Sequence, residues 1–158
     1  MKNIQFSPWM IEESYKYYRS AEILKNEGNL LCVAEINAAL SIEIALKSFL
    51  VTVAKFEGTP YEEYVYKKPR GAPNGHNLCC LYEQLPEQVK VAIFTEELKN
   101  WVARFSETFT NSRYRYEPSS VKSSGSVIIE VAFELLQNIV RFYGANNIEL
   151  VQSLKKLA

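Results

Sequence analysis

From Asn29 to Glu57 the chain runs without a proline or a glycine, and no other feature constrains its fold as strongly. Nothing in that stretch forces the backbone to turn. Within it Ala34, Ala38, Ser41, Ala45 and Ser48 recur three or four residues apart, beside the bulkier Ile42, Leu46, Phe49 and Val53. Small residues on one stripe let a neighbouring helix approach closely, while the bulky ones fill the space beside it. The pattern predicts a long central helix, roughly 40 Å at about 1.5 Å per residue, closed by Gly58 and Pro60.

The other elements follow the same signals. Ser7-Pro8 reads as an N-cap followed by a first-turn proline, and Glu12 and Glu13 sit where they suit the positive end of the helix dipole. Ile11, Tyr15 and Tyr18 mark the buried face of this helix, and Gly28 its left-handed stop. Residues 58 to 76 form a long loop punctuated by Gly, Pro and Asn and anchored by Tyr61, Tyr64 and Tyr66. Asn77 caps a short helix carrying Leu78, Leu81 and Leu85, which Pro86 ends. Helix resumes over 87 to 109, broken near Thr95, with Leu98, Val102, Phe105 and Phe109 as its stripe and Trp101 beside it. A second loop, rich in serine, leads to a helix over 126 to 143 that buries Ile128, Val131, Leu135, Ile139 and Phe142 and stops at Gly144. A short helix follows within 148 to 157. No strand alternation or repeat stands out, so the expectation is an all-α bundle in one domain over 1–158, with a core from about 8 to 143 and a short C-terminal helix or tail over 145–158.

Composition narrows the function classes. Lys plus Arg number 18 and so do Asp plus Glu, so no global field draws the protein to a polyanion, and any such site is a local patch. The first residues lack an apolar run suited to secretion, and no later segment reads as the roughly 20 apolar residues that span a bilayer. The expectation is a soluble, cytoplasmic protein without a membrane partner. Cys32, Cys79 and Cys80 have no disulfide-framework spacing and read as reduced, small hydrophobes. His76 with Cys79 or Cys80 falls short of the about four ligands of structural zinc, so neither a metal nor a cofactor is expected.

Three groups carry chemistry. Arg70 and His76, the only histidine, combine a phosphate-clamping guanidinium with an imidazole that exchanges protons near neutral pH. Such a pair suits metal-independent RNA cleavage through the 2′-hydroxyl. The alternative is that His76 pins the start of the Leu78 helix while Arg70 is solvated. Arg113-Tyr114-Arg115-Tyr116 alternates cations with rings that stack on bases or pair with phosphates, and Lys67, Lys68 and Arg70 can join it from the other loop. Alternatively, Tyr114 packs beneath its loop and Arg113 pairs with a carboxylate. The Tyr15-Lys16-Tyr17-Tyr18 cluster reads as a dimer face or as ordinary partial burial. No Gly-x-x-x-x-Gly-Lys, Gly-x-Gly-x-x-Gly or nucleophile-elbow sequence occurs.

The segment from Ala34 to Leu50, with Glu43-Ile44-Ala45-Leu46-Lys47-Ser48-Phe49-Leu50 at its end, then Gly75-His76-Asn77-Leu78-Cys79-Cys80-Leu81 and Ser112-Arg113-Tyr114, resembles in that order the HEPN superfamily of helical domains. The resemblance covers roughly residues 20 to 143. It implies an up-and-down bundle of four to five helices, usually a homodimer, in nucleic-acid-related roles: toxin ribonucleases, partners of nucleotidyltransferases or antitoxins, and noncatalytic binding modules. Catalytic members carry Arg, a polar residue, a short spacer and His on a late helix. Here Arg104, Arg113 and Arg141 have no downstream histidine, and Gly71, Pro73 and Gly75 interrupt the Arg70 to His76 interval. By analogy, Glu43 and Lys47 face the His76 end of the bundle as a polar cluster; the alternative is a surface pair worth about 0.3 to 0.5 kcal/mol. The expected function is a noncatalytic module for nucleotides or RNA. Arg113, Tyr114, Arg115, Lys47, Glu43 and Asn77 are its binding candidates. The alternatives are an endoribonuclease using Arg70 and His76, with Arg113 in support, and a structural homodimer or protein partner.

Overall fold

In the computed structural model, residues 4–59, 61–72, 74–113 and 125–157 are described, Arg113 by its backbone alone. Helix α1 (Pro8–Leu24) begins with the proline in its first turn, but the Ser7 hydroxyl makes no capping bond. It is buried and has no hydrogen-bond partner among the described residues. The entry is held from a distance instead, as the Ser7 N–H donates to the Tyr143 hydroxyl at 3.0 Å.

Helix α2 (Leu31–Lys47) is shorter than the Pro- and Gly-free run suggests, about 26 Å rather than about 40 Å. Its last turn tightens where the Leu50 N–H bonds the Lys47 carbonyl at 2.8 Å and the Ser48 hydroxyl donates to the Ala45 carbonyl at 2.7 Å. The chain then turns into β1 (Val51–Lys55), which pairs antiparallel with β2 (Glu63–Tyr66); Val51 lies opposite Tyr66 and Val53 opposite Tyr64. The strictly all-α expectation is corrected to a mainly helical fold that includes a β-hairpin. Val51-Thr52-Val53 prefers extended backbone because branched β-carbons pack well on a pleat. Gly58, at φ 77°, therefore shapes the hairpin connection rather than a helix end, and Phe56 shares the left-handed region at φ 56°.

Among the described residues, helices α3 (Leu78–Gln84), α4 (Glu87–Ile93), α5 (Glu96–Arg104), α6 (Thr108–Arg113), α7 (Val127–Ala145) and α8 (Gln152–Lys155) follow the hairpin. The break near Thr95 is real: Thr95 Oγ1 accepts the Leu98 N–H at 3.1 Å and caps α5. Gly144 lies inside α7 and not past its end. The stop is Asn147 at φ 58°, with the Ile148 N–H reaching back to the Tyr143 carbonyl at 3.0 Å.

A single hydrophobic cluster draws on every helix, from Ile11 and Tyr18 through Ala38, Ile42, Leu81, Val89, Leu98, Phe109, Leu135 and Ile139 to Leu154. The small residues of α2 admit α1 closely enough for the Ser14 hydroxyl to donate to the Ser41 carbonyl at 2.7 Å. Buried Ala38 and Ala45 lie on that same helix. One expectation about apolar runs is also corrected. Gly28–Lys47 is long and apolar enough to cross a bilayer, with a mean hydropathy of 1.5, and half of the window is buried inside the protein. A core helix meets the same criterion when it is covered on most sides.

Candidate polar site at the start of helix α3

Two carboxylates, Glu35 and Glu43, are buried on α2. Glu43 is the one that meets the histidine. Both of its oxygens lie 3.0 Å from His76 Nδ1, and the Lys47 ammonium donates to one of them at 2.6 Å. The Glu43 side chain is 5% exposed, Lys47 18% and His76 41%, so the pair on α2 is far from the solvated i,i+4 pair of an exposed helix face. In the neutral ring, a carboxylate on Nδ1 selects the tautomer protonated there and leaves Nε2 as the acceptor. No hydrogen-bond partner meets Nε2 among the described residues.

The loop that delivers His76 is shaped by its own polar groups. Asn74 Oδ1 accepts the His76 N–H at 2.9 Å, an Asx-type turn. Asn77 then caps α3 by accepting the Cys80 N–H at 2.9 Å. Ser106, between α5 and α6, completes the seal: its hydroxyl donates to Asn77 Oδ1 at 2.8 Å and accepts the Cys79 N–H at 3.0 Å, while its carbonyl takes the Leu78 N–H at 3.0 Å. The first three N–H groups of α3 are thereby all satisfied. The His76 ring packs on Phe109 of α6, centroids 4.8 Å apart.

On the other side Tyr66 of β2 lies under the Lys47 ammonium, 5.2 Å from ring centroid to nitrogen. Its hydroxyl donates to Gln84 Oε1 at 2.9 Å, and Gln84 Nε2 returns to the Cys80 carbonyl at 2.6 Å. The hairpin, α2 and α3 thus share one continuous polar chain ending at His76.

Glu43, Lys47, His76 and Asn77 therefore meet at one place. Arg70 does not join them: it is exposed in a turn with Gly71, which has φ 84°, and makes no hydrogen bond or ion pair with His76. Arg113 closes α6 with its backbone, whereas Tyr114 and Arg115 lie outside the described residues. Lys67, Lys68 and Arg70 are all exposed and form no ion pair among the described residues; Lys68 Nζ donates to the Ala72 carbonyl at 3.1 Å. Sequence patterns gave Phe109 only a core role and Ser106 none. A serine just past a helix end carries no signal that it will cap another helix. Among the described residues no three His, Cys or acidic side chains gather as metal ligands.

The molecule is thus a mainly helical protein with a buried carboxylate bridging a lysine and a half-exposed histidine. No family model, curated protein or solved structure matches the chain.

Proposed function

We propose that the chain is a HEPN-like module that binds RNA or nucleotides through the basic loop leading into His76, without cleaving them. The observation that carries this reading is how the charges are divided. Glu43 is engaged by both Lys47 and His76, so that cluster neutralises itself and fixes the loop. Lys67, Lys68 and Arg70 remain exposed without ion-pair partners among the described residues. On a chain whose acidic and basic residues balance, three cations within four positions form the local field a phosphate backbone requires.

The test is binding of a single-stranded RNA oligomer as a function of salt. Charge reversal of Lys67, Lys68 and Arg70 together is expected to weaken binding and reduce the slope of log K against log salt by about 2, near 0.7 per lost phosphate contact on a single strand. An unchanged slope and affinity would sink the reading.

One observation favours an endoribonuclease as the second reading: a buried carboxylate orients His76 with Nε2 open, the arrangement of a positioned general base. RNA cleavage lost in both His76→Ala and Glu43→Gln would establish it. Equal background cleavage by wild type and His76→Ala would dismiss it.

A further inference from the structure

The surface along α5 and α6 has a role that the His76 loop does not absorb. Three adjoining depressions lie there, of about 420, 140 and 420 Å³, and Arg104 lines all of them. Trp101 and Phe105, one turn apart on α5 and just past its end, stack with centroids 5.7 Å apart and planes within 13°. The Arg104 guanidinium sits 5.2 Å from the Trp101 ring centroid and forms no ion pair among the described residues. Both rings are partly exposed and Arg104 is exposed. The track also takes in Ser106, the residue that holds the start of α3.

We propose that this track is a base-stacking path for single-stranded RNA, in which Trp101 carries a nucleobase and Arg104 the adjoining phosphate. The proposal rests on the RNA-binding reading above and adds the second half of the site. A base that takes the guanidinium's place over the indole frees Arg104 for a phosphate oxygen, and every base offers a π-face to such a ring. Glu97 and Glu107 flank Arg104 in the same depressions and Glu35 lines the smallest of them, so the track carries more acidic than basic side chains. Stacking, not net charge, then supplies its share of the affinity. The loop of Lys67, Lys68 and Arg70 supplies the salt-dependent share.

This division makes the test separable. The chain has two tryptophans, Trp9 and Trp101, so Trp9→Phe leaves Trp101 as the only indole emitter. An eight-residue oligoadenylate titrated into the full-length Trp9→Phe protein is expected to quench that emission saturably. In the wild-type background Trp101→Leu is expected to weaken binding about tenfold or more while leaving the salt slope unchanged. Arg104→Ala, an exposed change that leaves the stacked rings in place, checks the same surface without a core substitution and is expected to weaken binding and lower the slope by less than 1. Oligomer binding that depends on the loop cations yet leaves Trp101 emission and the Trp101→Leu and Arg104→Ala affinities unchanged would overturn this inference and leave the RNA-binding reading standing. Absence of binding by every form, wild type included, would overturn both.

Discussion

Glu43 shows how much one buried side chain can organise. Its two oxygens serve an imidazole from a loop and an ammonium from its own helix, so removing it strands two donors at once. Glu43→Ala is expected to destabilise the protein by about 1 to 3 kcal/mol in denaturant unfolding, the usual cost of a partly buried hydrogen-bonding group losing its partner. A second readout isolates the histidine. Nitrogen NMR of the neutral ring is expected to show the proton on Nδ1 in the wild type and a mixed or Nε2-protonated population in Glu43→Ala. A ring that keeps the Nδ1 tautomer without Glu43 would contradict the assigned bond. The sequence placed Glu43 and Lys47 one turn apart, but only the fold decides that this turn is covered. Arg70 is the converse case: its spacing to His76 was legible, and the Asx turn that aims His76 at α2 was not, because Asn74 acts through geometry that spacing does not encode.

At the scale of elements, capping residues carried more information than long periodicities. Asn77 and Thr95 both start helices where their types predict, because each offers a side-chain acceptor to an otherwise unpaired N–H. The run from Asn29 misled for a physical reason. A helix needs no glycine to end when branched residues follow and a partner strand is available, and Tyr64-Val65-Tyr66 supplies that strand. Helix α7 runs past Gly144 because the left-handed position falls to Asn147, which tolerates it nearly as well. Asn77→Ala tests the cap where it matters most. It removes the acceptor of both the Cys80 amide and the Ser106 hydroxyl, and is expected to cost about 1 to 2 kcal/mol, at the upper end for a cap. Thermal unfolding of the variant checks this, and a loss below a few tenths would show that the Ser106 bridge holds α3 alone.

Across the whole molecule, tyrosines tie the helices together, and this makes the fold sensitive to alkali. Burial pushes the Tyr143 hydroxyl up to about 12, against a smaller opposing effect of the bond from the Ser7 N–H. Tyr18, Tyr64 and Tyr82 are raised by burial as well. A phenol whose value is higher when folded holds its proton longer than in the unfolded chain, so its contribution is complete below about pH 10 and is lost as pH rises through 12. Stability is expected to fall across that window, and Tyr143→Phe is expected to flatten the fall by about 2 to 3 kcal/mol while lowering the neutral-pH stability through the lost Ser7 bond. Denaturant midpoints at pH 8, 10 and 11.5 provide the check; parallel curves for the two proteins would refute it.

The seal over α3 also has a kinetic meaning. Ser106 is separated by 27 positions of chain from the Cys79 amide it accepts and by 29 from the Asn77 oxygen it donates to, so the seal closes only with α5 docked beside α3. A contact between positions so far apart in the chain is expected to form late in folding. Ser106→Ala is expected to accelerate unfolding while leaving the refolding rate nearly unchanged, and the Cys79 and Cys80 amides, expected to exchange deuterium slowly in the wild type and faster in the variant, are its most direct clock.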